Sequence, residues 1–138
     1  YAETGMEFEP KQECETAGMV LYQNHENHLR MEIRKRAEEN CFVVTACIHG
    51  KEKILTEKPA GEGRQFFKIR MHCDRQKARI WLFRDGRERL IAEDISLLPY
   101  TTEEAGGFVG CTIGMYASAN GQDSSNYADF AWFVQNAI

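Results

Sequence analysis

The sequence predicts an all-β fold, an antiparallel β-sandwich. Apolar and polar residues alternate with a period of two in short segments, turn-forming residues separate these segments, and no stretch sustains a 3.6-residue period for three turns. The chain has 138 residues, of which 43% are hydrophobic and 28% are charged. That composition provides for one hydrophobic core, and that length allows one domain. We therefore expect residues 1–138 to form a single β-sandwich domain.

The predicted strands follow from the alternation and from the turn residues between them. In chain order, they cover residues 6–9, 17–23, 28–35, 41–49, 65–73, 78–84, 89–94, 108–117 and 127–134. The turns are predicted at residues 24–27, 49–52, 59–63, 74–76 and 85–86, the last being an Asp-Gly pair typical of a two-residue hairpin. Residues 94–102, which contain Pro99, predict a crossover or a single helical turn.

One predicted strand carries large apolar side chains on both faces. In the segment that begins at Ala78, Ile80 and Leu82 share one face, while Trp81 and Phe83 share the opposite face. A strand with one buried face and one solvent-exposed face does not show this pattern. A sugar stacked on Trp81, a partner domain, or a loop of the same chain would each account for it.

Charge and composition exclude several classes of function. With 17 Lys and Arg against 21 Asp and Glu, the net charge is −4, and no basic cluster indicates binding to nucleic acid. No apolar run approaches the ~20 residues that a membrane span requires. The five cysteines form neither a CxxC motif nor a zinc pattern, so we expect free thiols in a reducing compartment such as the cytoplasm.

Catalytic motifs are not apparent in the sequence. Glu7 and Glu9 have the i, i+2 spacing that places two carboxylates on one face of a strand, but they lie beside Pro10 and lack the further acidic residues of a glucanase motif. We therefore interpret them as solvated. The four histidines, His25, His28, His49 and His72, are predicted in turns or on outer faces. We expect no catalytic centre in this chain.

Three groups of residues together resemble one family. They are residues 8–10 (FEP) with 17–24 (AGMVLYQN), residues 27–29 (NHL), and residues 106–116 (GGFVGCTIGMY) with 128–133 (ADFAWF). In residue type and in order along the chain, these groups are similar to the C-terminal domain of family 43 glycoside hydrolases of the β-xylosidase type. The resemblance extends through nearly the whole chain. It implies a concanavalin A-like jelly roll of two antiparallel sheets.

The resemblance also implies a neighbouring domain and a site residue. In the family, this domain follows a catalytic β-propeller of the same polypeptide and begins with further strands, so residue 1 is expected to fall inside the domain. A loop of the accessory domain reaches the propeller's pocket with a phenylalanine, for which Phe108 is the match. The alternative is that Phe108 is a core aromatic residue at the start of a strand.

The sequence departs from the family pattern at one position that bears on metal binding. Ala131 stands where the pattern usually has a second aspartate, which leaves Asp129 as a single candidate ligand for a structural calcium ion and no cofactor otherwise. Relatives act on xylosides, arabinosides or both, and the residues that select the sugar lie in the propeller. The resemblance therefore does not identify the sugar.

Two functions remain open at this point. The first is a noncatalytic accessory domain that packs on the propeller through Trp81 and Phe83 and shapes its active site through Phe108. The second is an autonomous module for xylan or xylo-oligosaccharides, with Tyr22, Trp81 and Tyr116 as its stacking platform. A hydrolase acting alone lacks a carboxylate pair. Relatives form dimers and tetramers, and we expect the N-terminal strand to be an exposed edge that could pair with a second copy.

Overall fold

The computed structural model describes residues 1–100 and 112–136, and most of these residues are in strands. The strands are β1 (Ala2–Phe8), β2 (Thr16–Asn24), β3 (Asn27–Arg36), β4 (Glu39–Ile48), β5 (Lys51–Pro59), β6 (Gln65–Asp74), β7 (Lys77–Arg84), β8 (Arg87–Ser96), β9 (Thr112–Ser118) and β10 (Asp129–Gln135), with a 3₁₀-helix at Leu98–Tyr100.

The strands form two five-stranded sheets. Sheet A has the order β10-β1-β6-β7-β8, and sheet B has the order β5-β4-β3-β2-β9. Every neighbouring pair is antiparallel. The inner faces of the two sheets share one hydrophobic core. The predicted antiparallel β-sandwich is confirmed.

The core follows the alternation of the sequence. On β3, Leu29, Met31 and Ile33 are fully buried between the sheets, while Arg30 and Glu32 lie on the outer face. The largest buried side chains from other elements are Met6, Met19, Phe42, Phe67 and Tyr100. Ile80 and Leu82 point into this core, as the pattern predicts.

Tight turns join most consecutive strands. At the predicted Asp85-Gly86 hairpin, both residues have positive φ, 51° and 72°, which is the geometry that matches the twist of paired strands. Residues 94–102 were predicted as a crossover or a single helical turn; residues 94–96 instead belong to β8, a single 3₁₀ turn at Leu98–Tyr100 ends at the buried Tyr100, and residues 101–102 lie outside the described residues.

Strand β5 was not predicted from the sequence. Eight of its nine residues are exposed, and it lies at the edge of sheet B, so its outer and inner faces both tolerate polar side chains. Ile54 and Leu55 are adjacent, about 40% exposed, and give no period-two signal. The strand forms through its backbone pairing with β4 rather than through a buried face.

The first strand lies inside its sheet. The expectation of an exposed edge at the N-terminus is wrong, because β1 pairs with β10 on one side and with β6 on the other. The Tyr1 ammonium donates to the carbonyl oxygen of Asn136 at 2.7 Å, and the Asn136 amide donates to the Tyr1 carbonyl at 2.9 Å. The edge strand beside it is β10, whose sequence lies more than 120 residues away.

The described cysteines agree with the expectation of free thiols. Cys41 and Cys47 are buried, Cys14 and Cys73 are half-buried, and none of the four forms a disulfide; Cys111 lies outside the described residues. Across residues 1–100 and 112–136, the structure contains no helix long and apolar enough to cross a bilayer.

Candidate functional site

The aromatic residues singled out in the sequence are divided between two outer faces. Trp81 and Phe83 lie on the outer face of sheet A, while Tyr22 and Tyr116 lie on the outer face of sheet B. A single platform of Tyr22, Trp81 and Tyr116 is therefore wrong. The two sheets face each other through the core, so side chains on their outer faces cannot stack on the same sugar ring.

On sheet A, cations of the neighbouring strand cover the aromatic rings. Cross-strand pairing places Arg70 beside Trp81 and Lys68 beside Phe83. The guanidinium of Arg70 lies 4.6 Å from the Trp81 ring centroid, and Lys68 Nζ lies 5.1 Å from the Phe83 centroid. A loop of the same chain was one of the predicted covers. The structure instead places side chains of the same sheet there.

Aromatic side chains on the outer face of sheet A also come from or lie against strands β1 and β10. Trp132 lies across Gly5, where an added Cβ would be 2.5 Å from the indole ring. Its Nε1 donates to Glu3 Oε2 at 3.0 Å, and its ring lies 5.5 Å from that of Phe66. We define the aromatic face by its four ring side chains, Phe66, Trp81, Phe83 and Trp132. Trp132 was not identified as a site residue, because its position depends on pairing between the first and last strands.

On sheet B, a carboxylate is buried on the outer face. The Glu32 side chain is 2% exposed and lies between Arg30, whose Nε is 3.5 Å from Oε2, and Arg34, whose Nη1 is 3.5 Å from Oε1. The Tyr116 hydroxyl donates to Glu32 Oε2. Arg30 also donates to Glu52 Oε1 at 2.6 Å. Glu32 thus lies within a network of two cations, a phenol and a second carboxylate nearby.

This network forms the floor of a cleft of about 290 Å³, which we name the polar cleft. Its lining residues are Thr16, Arg30, Glu32, Arg34, Glu52, Tyr116, Ser118 and Asn120. Beside Glu32 stands Gly18, where any Cβ would overlap the Met31 carbonyl oxygen, so the adjacent strands approach closely there. Tyr116 pairs across from Gly18, and its ring occupies the side of the cleft that β9 provides.

The pKa values of the cleft follow from its burial and its charges. Burial raises the pKa of Glu32, and the hydrogen bond from Tyr116 and the two nearby arginines only partly offset this rise. Burial, together with the Glu32 charge, raises the pKa of Tyr116 well above its usual range. The hydrogen bond from Arg30 lowers the pKa of Glu52. At neutral pH, Tyr116 is therefore a hydrogen-bond donor.

Three buried polar atoms on this face have no hydrogen-bond partner among the described residues. They are Arg34 Nε, Thr45 Oγ1 and His28 Nδ1. Thr45 is 2% exposed, and pairing places it directly beside Arg30. The other ring nitrogen of His28 is 3.0 Å from Arg30 Nη1, and the His28 ring stacks on Tyr22 with 6.1 Å between centroids. The network leaves hydrogen-bonding capacity unused.

A second buried carboxylate, Glu15, anchors the segment that precedes β2. Glu15 is 4% exposed and accepts four hydrogen bonds. The donors are the backbone amides of Lys11 (2.7 Å) and Gln12 (3.1 Å), Ser124 Oγ (2.5 Å) and Asn126 Nδ2 (2.9 Å). Burial acts to raise the pKa of Glu15, but these hydrogen bonds outweigh it and lower the pKa. Asn120, which lines the polar cleft, donates from Nδ2 to the Cys14 carbonyl at 2.6 Å and so connects the cleft to this segment.

The carboxylates considered for catalysis and metal binding have basic partners. Glu7 Oε2 lies 3.7 Å from Arg64 Nε, Asp129 Oδ2 lies 3.0 Å from Arg64 Nη2, and Glu9 lies 2.5 Å from Lys11 Nζ. Among residues 1–100 and 112–136, no group of three or more His, Cys, Asp or Glu side chains could hold a metal ion. The calcium expectation for Asp129 stays a prediction.

Phe108 lies outside the described residues. The residues before and after this part of the chain are placed: Tyr100 is buried in the core, and Thr112 begins β9 in register with Tyr22 of β2.

Comparisons with known proteins agree with this architecture. Residues 1–135 match the family described as beta xylosidase C-terminal concanavalin A-like domain. A xylosidase/arabinosidase of Butyrivibrio fibrisolvens is 43% identical over 137 residues, which are 99% of this chain and 26% of that protein. A non-reducing end alpha-L-arabinofuranosidase of Bacteroides ovatus is 31% identical over 134 residues, which are 96% of this chain and 25% of that protein.

A solved structure agrees with the same assignment. The Bacteroides ovatus xyloglucan PUL GH43B has a TM-score of 0.86 and 29% identity, over 96% of this chain and 26% of that chain. The chain thus spans about a quarter of the length of the relatives that it matches. With the two antiparallel sheets described above, the match over 1–135 settles the assignment. The chain belongs to the family of C-terminal concanavalin A-like domains of β-xylosidases.

Proposed function

We propose that this chain is the noncatalytic accessory β-sandwich of a family 43 glycoside hydrolase that degrades hemicellulose, of the β-xylosidase or arabinofuranosidase type. The observation that carries the proposal is the match to a C-terminal domain over 1–135, combined with coverage of only a quarter of the relatives' length. The remaining three quarters provide room for a catalytic β-propeller in the same polypeptide. This domain then contributes packing and shape rather than a reacting group.

The aromatic face supports a role in packing on the propeller. Trp81 and Phe83 are half-buried on an outer face, and Leu90, which pairs beside Trp81 on β8, is 45% exposed. Apolar surface bordered by charged side chains is typical of a surface that contacts another domain. Because Arg70 and Lys68 already cover the rings, such a contact would be of mixed apolar and polar character.

The packing role is tested with the catalytic domain and this chain as separate polypeptides. We expect Trp81→Ala to weaken their association, measured by analytical ultracentrifugation, by about tenfold, because a buried aromatic anchor is typical of such contacts. Tyr22→Ala, on the opposite sheet, is the matched control. Unchanged association in Trp81→Ala, or weakening by Tyr22→Ala alone, would contradict the assignment of this face.

Phe108 supports the second part of the proposal, the shaping of the active site. In a polypeptide that contains both domains, we expect Phe108→Ala to lower kcat/KM for xylobiose by about tenfold, equivalent to ~1.4 kcal/mol. The control is Leu98→Ala on the 3₁₀-helix, where the side chain is 45% exposed. Equal kcat/KM in Phe108→Ala and the unmodified enzyme, with both folded, would exclude this role.

A further inference from the structure

We propose that the polar cleft on sheet B binds a neutral sugar unit through hydrogen bonds, without an aromatic stacking platform. The cleft is lined by charged side chains and one phenol on the outer face of the sheet opposite to the aromatic face. The preference for a polyhydroxylated ligand is inferred from the charge and hydrogen-bonding capacity of the cleft. Only the choice of pentose-based probes rests on the proposed function.

The charge balance of the cleft favours an uncharged ligand. Its charged residues are two arginines, Arg30 and Arg34, and two glutamates, Glu32 and Glu52. An anionic ligand would compete with Glu32 and Glu52 for the arginines, and a cationic ligand would compete with the arginines for the carboxylates. A sugar hydroxyl both donates and accepts, so it can bind between a guanidinium and a carboxylate without displacing either.

An unused hydrogen-bonding atom indicates that the cleft is incomplete by itself. Arg34 lines the cleft, and its Nε is buried without a hydrogen-bond partner among the described residues. Buried polar groups in folded proteins are almost always hydrogen-bonded, and an unpartnered one has a cost. A ligand hydroxyl in the cleft would supply a partner for Arg34 Nε.

The cleft is preorganised for binding. Glu32 fixes Arg30 and Arg34 on its two sides, Glu52 holds Arg30 from the other direction, and the Tyr116 hydroxyl is fixed on Glu32. Side chains that are held before the ligand arrives lose little conformational entropy on binding.

Size and access suit one sugar unit with room to extend. The volume of about 290 Å³ is close to the ~300 Å³ at which the range for small-molecule sites begins. Two residues before Tyr116 on the same face of β9 stands Gly114, where an added Cβ would meet nothing within 4 Å. An oligosaccharide could therefore continue along β9 beyond the cleft.

The test is a titration of this 138-residue chain with xylobiose, xylohexaose and arabinoxylan, in which ¹H–¹⁵N NMR spectra are recorded at each ligand concentration. We expect saturable shifts of amides in residues 30–34 and 114–120. Arg34→Ala should weaken the affinity at least tenfold, while Arg70→Ala on the aromatic face leaves it unchanged. If Arg34→Ala does not fold, Arg34→Lys retains a charge near Glu32 but lacks the planar donor fork, and the same loss is expected.

Several outcomes would overturn the inference. No saturable shift with any of the three probes would do so, as would shifts confined to residues near Trp81. Tighter binding of glucuronic acid than of xylobiose would contradict the argument from charge balance. None of these results bears on the accessory role, which is tested by Phe108→Ala in the two-domain polypeptide, so failure of one proposal is distinguishable from failure of the other.

Discussion

The outer face of sheet A carries aromatic rings that are covered by cations of the neighbouring strand, whereas the outer face of sheet B carries a buried carboxylate between two arginines. On sheet A, Arg70 covers Trp81 and also lies 2.9 Å from Glu88, so its charge and the ring are both partnered. On sheet B, Arg34 is near Glu32 but keeps a buried, unpartnered Nε. On the first face, the cation over Trp81 is already paired with a carboxylate, whereas the second face has an unused hydrogen-bonding atom.

The difference shows that polarity alone does not identify which face is available to a ligand. Aromatic side chains are the usual indicator of a sugar site, yet here two of the rings lie under cations. Charged side chains usually indicate a solvated face, yet here Glu32 is almost completely buried. Whether a face is available to a ligand depends instead on whether its buried polar atoms already have hydrogen-bond partners.

The largest expected difference between the faces comes from removing one carboxylate from each. Glu32→Ala leaves the largely buried Arg34 guanidinium and the Tyr116 hydroxyl without their partner and leaves Arg30 with Glu52 alone, so we expect the free energy of unfolding to fall by about 3–5 kcal/mol. Glu88→Ala removes the half-exposed partner of Arg70, and we expect a loss below ~1 kcal/mol. Urea denaturation of both variants measures the difference. Equal losses of unfolding free energy would show that Glu32 contributes no more to stability than the half-exposed Glu88.

Two glycines provide a steric comparison of the same faces. In Gly18→Ala on sheet B, the new methyl group overlaps the backbone carbonyl of Met31, so we expect a loss of about 3 kcal/mol. In Gly5→Ala on sheet A, it meets the indole of Trp132, which is 36% exposed and can move outward, so we expect about 1 kcal/mol. Gly114→Ala, with open space around it, is the control. Thermal unfolding of the three variants should rank them in this order, and a larger loss for Gly5→Ala would contradict the argument.

Changes in pH should distinguish Glu32, at the floor of the polar cleft, from Glu15, in the segment that precedes β2. Glu15 has a lowered pKa in the folded chain, so its stabilisation is present above its ordinary value of 4.5 and is lost as the pH falls through the folded-state pKa. Glu32 has a raised pKa, so its contribution is present below 4.5 and is lost as the pH rises through the folded-state pKa.

Glutamine variants make this pH dependence measurable. We expect Glu15→Gln to lower the free energy of unfolding by about 1.5 kcal/mol at neutral pH and by less in acid. The difference between the unmodified chain and Glu32→Gln should change in the opposite direction, shrinking as the pH rises. Chemical denaturation across the acidic range tests both slopes, and parallel slopes would show that the two carboxylates do not differ in this way.

The smallest effect is expected on the aromatic face. A double-mutant cycle of Arg70→Ala and Trp81→Ala should give a coupling free energy of about 0.5–1 kcal/mol, because the cation lies over the ring at a partly exposed site. The matched cycle of Lys68 and Phe83 has a longer separation, 5.1 Å against 4.6 Å, and should give less. A coupling of zero for Arg70 and Trp81 would mean that the cover has no energetic consequence.

Alternation along the chain was sufficient to predict the fold but not the network. The inward positions of Ile80 and Leu82 and the outward position of Trp81 follow from a period of two. The cover on Trp81 does not, because it depends on the register between β6 and β7. Strand β5 was missed because its residues are exposed on both faces.

The polar cleft was beyond prediction for a similar reason. Glu32 and Arg34 look like ordinary outer-face residues on β3, and the sequence does not indicate that Glu32 is buried. That burial depends on Tyr116, which lies 84 residues away and reaches Glu32 only because β9 pairs with β2. Tyr116 was selected from the sequence as a stacking residue, and the structure shows it as a hydrogen-bond donor.

The pairing of Tyr1 with Asn136 has a mechanical consequence. Because β1 and β10 are antiparallel neighbours, these two residues lie at the same end of the pair. A pulling force applied between them would act across the strands and break the ladder one hydrogen bond at a time. The same sandwich pulled along its strands would have to break many of these bonds together. Tension applied between Tyr1 and Asn136 would therefore separate β1 from β10 sequentially and at low force, while the pairing within sheet B stays intact.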